Sequence, residues 1–555
     1  MSRGEPIDAT TAAFLLQGHV QKFYSEFNEI TGQARERFLQ KAWHAQREAV
    51  RKRISLHEEA FENAVRELSV SRSLGKGWWK QTGVEFEKLT GSDTLAKTFF
   101  DAVGRMLFHG DLAFTLFQSA TPVKQDTELE LVSVSYETIL QSGFFSVLQK
   151  IGFEVSDQNL IATSLKLLEK MNSLIPDPAA PLFFYPHLFY RNKHAYLLGY
   201  GTTHKHVQPL LFAFTNSEEG VILNALLTTE EELKNVFAFS RSYFLVEARE
   251  PKGLVDLLLK VMPSKPEAQL YMNLGYQEHG KELVVAKLHQ HLQQHRSQFM
   301  VAPGIPGMVM MVFTLPDYDL VFKIIRDHFK PPKFVSRQEV IEKYLFIAKH
   351  DRVGRLADAQ RFEFLGLPLA YFDQQLLDFL LLDCSQSVSV RQGIVCFQDV
   401  YVERKMVPLN IYLEQARPDE AERAVIDFGH AIREMAMSNI FPGDLLIKNF
   451  GVTSEERVVF YDYDEIVPLV DCTFKDIPKA RDDDDEMNAE PWYAVNENDI
   501  FPEELVKFLL PAGPLRDRFA IDHQELYTAA FWNRLKNLHQ NGEVVDIQPY
   551  LANLV

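Results

Sequence analysis

Residues 442–465 carry the pattern richest in chemistry: Pro-Gly-Asp444-Leu-Leu-Ile-Lys-Asn449, then, after a short interval, Val-Val-Phe-Tyr-Asp462-Tyr-Asp464-Glu. An aspartate, four intervening residues and an asparagine, followed by an apolar strand ending in an aspartate, is the layout of a phosphoryl-transfer loop. In such a loop one carboxylate, here Asp444, orients the attacking hydroxyl and takes its proton. The Asn449 amide oxygen and the Asp462 carboxylate would hold Mg²⁺ against nucleotide phosphates. The Asp444/Asn449 spacing by itself also fits a capped turn. The apolar run 458–461 leading into Asp462 lifts it above chance. Asp464 follows Asp462 by two, so on an extended segment both carboxylates project from one side. A second acid there can bind metal or activate water; the plainer reading is a turn residue with no role.

Upstream lies the other half of a nucleotide site. Ala302-Pro303-Gly304-Ile305-Pro306-Gly307 enters an apolar run at Met308, and a turn at 316–319 leads to Leu320-Val-Phe-Lys323-Ile-Ile. This predicts a hairpin with a glycine-bearing first turn and one lysine on its second strand. Glycines let backbone approach phosphate closely, and a lysine on the next strand can pair with phosphate oxygens. Gly304-x-x-Gly307 is sparse for such a loop, and Lys323 alone could be a surface residue on an edge strand. Their order relative to Asp444 carries the weight. Ser336-x-x-Glu339 is a capping box, opening a helix with Val340, Ile341, Tyr344, Leu345 and Ala348 on one face. Glu339 and Glu342 are the candidate acidic partners of Lys323. A strand over 395–403 then reaches a hinge at 404–408, and Ala421, Val425, Phe428, Ile432 and Met435 mark a buried helix delivering the chain to Asp444. Glycine turn, lysine strand, helix, hinge strand, helix, catalytic loop and metal aspartate make a kinase-like order.

It is not an ordinary eukaryotic-type kinase. Phe441-Pro442-Gly443-Asp444 stands for His-Arg-Asp, Asp462-Tyr463-Asp464 for Asp-Phe-Gly, and Ala-Pro-Glu does not occur. The sequence resembles the bacterial isocitrate dehydrogenase kinase/phosphatase family. The resemblance rests on Ala-Pro-Gly-Ile-Pro-Gly-Met-Val (302–309), Val-Phe-Lys (321–323), His-Asp-Arg-Val-Gly-Arg-Leu-Ala-Asp (350–358), Glu-Arg-Lys-Met-Val-Pro-Leu-Asn-Ile (403–411), Phe-Pro-Gly-Asp-Leu-Leu-Ile-Lys-Asn-Phe-Gly-Val (441–452), Phe-Tyr-Asp-Tyr-Asp-Glu-Ile (460–466) and Glu-Pro-Trp-Tyr (490–493). It implies an enzyme that phosphorylates a serine of isocitrate dehydrogenase and also removes that phosphate, both at one ATP/ADP and Mg²⁺ site (Mn²⁺ being an alternative metal). It implies that 302–308 and Lys323 bind nucleotide, that Asp444 is the catalytic acid/base, and that Asn449 and Asp462 bind metal. It further implies Asp464 in the phosphatase reaction, Asp358 as an active-site residue, and AMP as an allosteric effector. Nothing local to Asp358 explains its role. Two rivals remain: a small-molecule phosphotransferase of the aminoglycoside-kinase type, which shares the Gly-Asp-x-x-x-x-Asn and Asp-x-Asp patterns, and a silent nucleotide-binding regulator.

The elements that must position these residues follow from the rest of the chain. Its 555 residues, 24% charged and 46% hydrophobic, suit a globular protein of two to four domains. A net charge of −18 argues against nucleic acid as the main partner. No apolar run reaches membrane-spanning length and no signal peptide is evident. Three cysteines without metal spacing fit a reducing cytoplasm. Leu16, Val20, Phe23 and Phe27 form one helical stripe, Ile54, Phe61, Val65 and Leu68 another, and 195–246 reads as an antiparallel meander. The expected fold is α+β: a mainly helical regulatory domain over 1–297 with a small meander, then a bilobal protein-kinase-like domain over 298–555, its lobes meeting near 405. A homodimer is one option for assembly. His291 and His295, four apart on a predicted helix, form a weak metal pair. The acidic run 482–486 reads first as a solvated loop and second as a docking element. Residues 494–520, with Phe501, Leu505 and Phe508, are the candidate docking segment.

Overall fold

The computed structural model describes residues 6–554 apart from 92, 110–128, 156, 176, 204–205, 239–242, 304–306, 330–334, 479–492, 497 and 551. Gly304, Ile305 and Pro306, the acidic run 482–486 and Glu490-Pro491-Trp492 therefore lie outside the described residues. The chain forms two compact units. One comprises Met1–His328, Gln360–Val402 and Gln548–Val555, the other Phe329–Ala359 and Glu403–Ile547. The architecture is α+β. No helix among the described residues is long and apolar enough to cross a membrane.

The first unit opens with helices. Asp8 caps α1 (Ala9–Gly32) by accepting from the backbone N–H groups of Thr10 and Thr11, and Leu16, Val20, Phe23 and Phe27 are buried along it. In α2 (Trp43–Leu68) the buried stripe is Leu56, Phe61, Ala64 and Leu68, with Ile54 and Val65 only partly covered. Arg53 occupies the inner face instead. Its guanidinium lies 3.7 Å from the Phe27 ring centre and donates to the carbonyls of Phe244 (3.1 Å) and Leu274 (2.8 Å). An arginine counts as solvated in a periodicity reading, which is why the stripe is displaced.

The meander is the centre of a larger sheet. Strands β1 (Val132–Ser135), β2 (Pro181–Phe184), β4 (His194–Thr203), β5 (His206–Ser217) and β6 (Gly220–Leu227) pair antiparallel in that order, and β3 (Phe189–Arg191) pairs with β4. Both faces are buried: Tyr196, Leu198, Leu211 and Ala213 enter one core, Leu197, Leu210, Phe212 and Phe214 another. Burial on both sides is what makes these strands read as continuous apolar runs rather than alternating ones. The tail 548–555 returns to this sheet. Asn553 exchanges two hydrogen bonds with the Leu226 backbone (3.0 Å each), and the Tyr550 hydroxyl meets His194 Nδ1 and Asn224 Oδ1 at 3.1 Å.

Helix α3 (Gln277–Gln294) leads into a second sheet of the same unit, ordered β10 (Gln360–Pro368), β12 (Ile394–Arg404), β9 (Leu320–Ile325), β8 (Met310–Thr314), β7 (Met300–Val301), with β11 (Val388–Arg391) on β12. Val285, Leu288 and Leu292 of α3 share one core with Phe299, Phe313, Phe322 and Phe397 of this sheet. The His291 and His295 rings stack at 4.2 Å, with His291 Nε2 3.3 Å from Asp317.

In the second unit, the capping box of Ser336 and Glu339 opens α4 (Arg337–His350). Helix α5 (Pro418–Met437) buries Ala421, Val425, Phe428, Ile432 and Met435. Around it lie a three-stranded sheet, β13 (Val407–Pro408), β15 (Phe450–Val452), β16 (Val458–Phe460), and a two-stranded pairing of β14 (Ile440–Phe441) with β17 (Val467–Pro468). Trp532 of α6 (Ala529–Gln540) is fully buried against Phe441 and Phe474 and donates its indole N–H to the Leu526 carbonyl at 2.8 Å.

Candidate active site

The loop carrying Asp444 is held at both ends by strand pairing. Upstream, β14 sets Phe441 opposite Val467 of β17. Downstream, β15 sets Phe450 opposite Phe460 of β16, and the Tyr461 N–H continues that ladder to the Asn449 carbonyl at 3.0 Å. Asn449 and the approach to Asp462 are therefore neighbours by register. Within the loop, Asp444 Oδ1 accepts from the Leu446 N–H (3.0 Å), a local turn bond. Asn449, 4% exposed, donates its Nδ2 to the Asp444 carbonyl at 3.2 Å. With the amide nitrogen so engaged, the amide oxygen is the group left to address a cation. The Tyr461 hydroxyl donates to the Lys448 carbonyl, tying the loop to the strand beside it.

Gly443 shows how tightly the loop meets the Asp-x-Asp segment. Its φ is +78°, and a Cβ there would stand 2.4 Å from the Glu465 carbonyl oxygen. Only glycine fits both demands. Beyond β16, Asp462 and Asp464 are each partly exposed while Tyr463 between them is buried, so the carboxylates lie on the solvent-facing side of the segment. Tyr463 explains that alternation: its hydroxyl donates to the Ala357 carbonyl (2.6 Å) and its ring meets Tyr344 edge-on at 5.0 Å. Lys343 of α4 donates to the Asp464 carbonyl. Burial pushes the Tyr461 phenol up to about 12, with the Asp462 and Glu403 carboxylates adding to it.

Asp358, for which the sequence offers no local reason, acquires one. Leu356 forms a parallel bridge with Phe460, the Phe460 N–H donates to the Arg355 carbonyl, and the Ala357 N–H to the Phe460 carbonyl, both at 2.8 Å. The Ala359 N–H then turns back to the Ala357 carbonyl at 2.8 Å, so Asp358 sits in a tight turn two residues past this bridge.

Of the remaining sequence candidates, the nucleotide residues around 302–308 and Lys323 lie in the first unit, and Glu339 and Glu342 in the second. After β7, the Ala302 N–H donates to the Val312 carbonyl of β8 at 3.0 Å. Pro303, Gly307 and Met308 are exposed. Arg326 donates its Nε to the Gly307 carbonyl at 3.2 Å. Lys323 is opposite Val312 in β9, an interior strand of the sheet, and is 8% exposed. An interior, buried lysine removes the alternative of a solvated edge residue. Glu339 is committed to its helix cap, and Glu342 accepts from Gln338 at 3.0 Å.

Sequence reasoning missed Arg326, Lys343 and Glu403. The first two act through backbone carbonyls distant in sequence, which no spacing rule reveals. Glu403, 3% exposed at the end of β12, had the signal of an acid closing an apolar strand. For a metal, Asn449 and Asp462 offer oxygen donors only, the set Mg²⁺ prefers, and this ion takes one or two protein oxygens and fills its remaining positions with phosphate and water. No group of three His, Cys, Asp or Glu side chains able to hold a metal alone occurs among the described residues; a phosphate-completed site requires none.

Comparison with known proteins covers nearly the whole chain. Residues 12–296 match the family model of the isocitrate dehydrogenase kinase/phosphatase (AceK) regulatory domain, and residues 297–552 that of its kinase domain. An isocitrate dehydrogenase kinase/phosphatase of Anaeromyxobacter sp. (strain Fw109-5) is 36% identical across 98% of both chains. One from Burkholderia thailandensis is 34% identical across 95% of this chain and 91% of its own. The chain belongs to the isocitrate dehydrogenase kinase/phosphatase family.

Proposed function

We propose that this protein is a bifunctional serine kinase/phosphatase that phosphorylates and dephosphorylates isocitrate dehydrogenase, with one nucleotide site serving both directions. Full-length similarity to enzymes carrying both activities in their name supports the substrate and the two reactions. The single observation that carries the chemistry is the loop in which the Asn449 amide is oriented by the Asp444 carbonyl, one residue before β15, which pairs with the strand delivering Asp462. The regulatory part is taken as 1–297 and the catalytic part as 298–555, a division supported by the two matched ranges. The catalytic lobes meet near 405, close to the change of compact unit after Val402.

In this reading 302–308 and Lys323 hold ATP or ADP, and Asn449 and Asp462 hold Mg²⁺. When bound, the metal neutralises charge on the transferring phosphoryl group. Asp444 receives the proton of the serine hydroxyl as it attacks. Asp464, on the same side of its segment as Asp462, positions or deprotonates the nucleophile that removes phosphate from phosphoserine. Asp358 is read as an active-site residue on the segment that bridges to β16 at Leu356. Phosphoryl transfer needs positioning and charge neutralisation more than covalent help from the protein, so one scaffold can direct either serine or water at phosphorus. AMP acts as effector, the setting is cytoplasmic, and the consequence is control of flux between the tricarboxylic acid cycle and the glyoxylate bypass. The aminoglycoside-kinase type of function is disfavoured by the matched regulatory range.

The test is direct. Incubation with Mg²⁺-ATP and isocitrate dehydrogenase should place phosphate on one serine, and replacing ATP by ADP or AMP should reverse it. Lys323→Ala should lower both rates on the order of 10²-fold, the usual cost of losing one electrostatic contact to a transferring group. Intact phosphatase activity in a kinase-dead Lys323→Ala would refute the shared site.

A further inference from the structure

Arg355 is 4% exposed. Its guanidinium forms a two-pronged pair with Asp427 of α5, Nη1 to Oδ2 and Nη2 to Oδ1 at 2.7 Å each. Its Nε donates to Glu434, two turns along the same helix, at 2.8 Å. Its Nη2 also reaches Glu434 Oε1 at 3.4 Å, and the other contacts go to β16. Nη1 donates to the Val458 carbonyl at 3.1 Å, and the Arg355 carbonyl accepts from the Phe460 N–H at 2.8 Å. Asp427 completes the arrangement by accepting from the Val458 N–H at 2.7 Å.

β16 is the outer strand of its sheet, so its free side would present unpaired backbone groups. Here an ion pair takes the place of a fourth strand: Val458 has its N–H on Asp427 and its carbonyl on Arg355. Two residues after this clamped strand comes Asp462. Buried ion pairs contribute little net stability compared with an apolar filling, and their best-attested use is to fix geometry. The fork of an arginine is rigid and fixes direction as well as distance.

We propose that Arg355 is a positioning residue for the metal site: through Asp427 and Glu434 it fixes β16 to helix α5 and so sets where the Asp462 carboxylate stands. The inference rests on the reading of Asp462 as a metal ligand. Arg355 touches neither substrate nor metal; it acts through the strand. The same residue lies three positions before Asp358, on the segment whose Leu356 bridges to Phe460 of β16.

The test uses the full-length protein with ADP and reads Mn²⁺ binding by electron paramagnetic resonance, alongside kinase and phosphatase rates. Arg355→Lys keeps the charge and loses the fork. It should weaken Mn²⁺ binding about 10–100-fold, the range seen when groups supporting metal ligands are removed. Both rates should fall together and recover partly at high Mg²⁺. Glu434→Gln, which leaves the Asp427 pair intact, should show a smaller shift in the same direction and guards against a folding failure of Arg355→Lys. Asp462→Asn separates the two readings. If it binds Mn²⁺ normally, the metal assignment fails and the proposal with it. If it loses Mn²⁺ while Arg355→Lys and Glu434→Gln bind it like the wild type, the positioning role alone is overturned. Rates that fall only in proportion to the folded fraction, with unchanged Mn²⁺ affinity, also overturn it.

Discussion

Asp462 and Asp464 place two negative charges on one side of a short segment, beside a proposed phosphate site. Like charges there are unfavourable unless each has work to do, binding cation or activating a nucleophile. Ordinary kinases carry glycine where Asp464 stands. We therefore expect Asp464→Ala to impair dephosphorylation more than phosphorylation, and Asp444→Ala to impair the kinase at least as much as the phosphatase. General-base assistance is typically worth on the order of 10²–10⁴-fold, so steady-state rates in the two directions will show the preference. Equal losses in Asp464→Ala would make it an ordinary second metal ligand. Both residues were legible in the sequence because their spacing is local. The residues that hold them were not, since Lys343 lies 121 positions from Asp464 and Arg355 lies 103 from Val458.

The clamp between α5 and β16 should register in stability against pH. Burial by itself would raise Asp427, but the Arg355 guanidinium outweighs it and holds the carboxyl at about 2, below its unfolded value of about 3.9. A lowered carboxyl contributes stability that is complete above the unfolded value and lost as pH falls through the folded one. The window is therefore about pH 4 to 2. The Asp427 side chain keeps 24% exposure, so at most about 2 kcal/mol is at stake. Urea unfolding of Asp427→Asn and wild type should give curves that differ most above pH 4 and converge below it; a gap independent of pH would exclude this account. The elements themselves were unevenly readable. The α5 stripe, the β8–β9 hairpin and the Ser336 cap follow from periodicity and capping chemistry, and all are present. β10 and β11 were not foreseen, because their short apolar runs match strand and helix equally well. Arg53 shows the converse failure, a charged side chain accepted into a core because aromatic and carbonyl partners were waiting for it.

Across the whole molecule, exposure separates docking surface from scaffold within the candidate segment 494–520. Phe508 is 61% and Val506 38% exposed, whereas Leu509, Leu510 and Phe519 are buried. Deleting the segment would strip the core, so point changes are the sharper probe. Phe508→Asp should reduce phosphorylation of isocitrate dehydrogenase at least tenfold, the cost of a modest interface contact, while ATP hydrolysis without protein substrate stays within twofold. Parallel loss of both would mark Phe508 as structural. The tail 548–555 has a different consequence. Removing it should expose His194 and the outer side of β6, lowering the thermal midpoint of the first unit by several degrees, as calorimetry would detect. That unit is gathered from three separate stretches of chain, the last beginning at Gln548. On the ribosome, its sheet must therefore wait, with Asn224 and His194 uncovered, while the other unit is made. Nascent chains would carry this unfinished surface for the time needed to add some 320 residues after β6, roughly 15–60 s at bacterial elongation rates. Chaperone capture during synthesis should thus concentrate on the β6 side of that sheet and end only once the segment beginning at Gln548 has emerged.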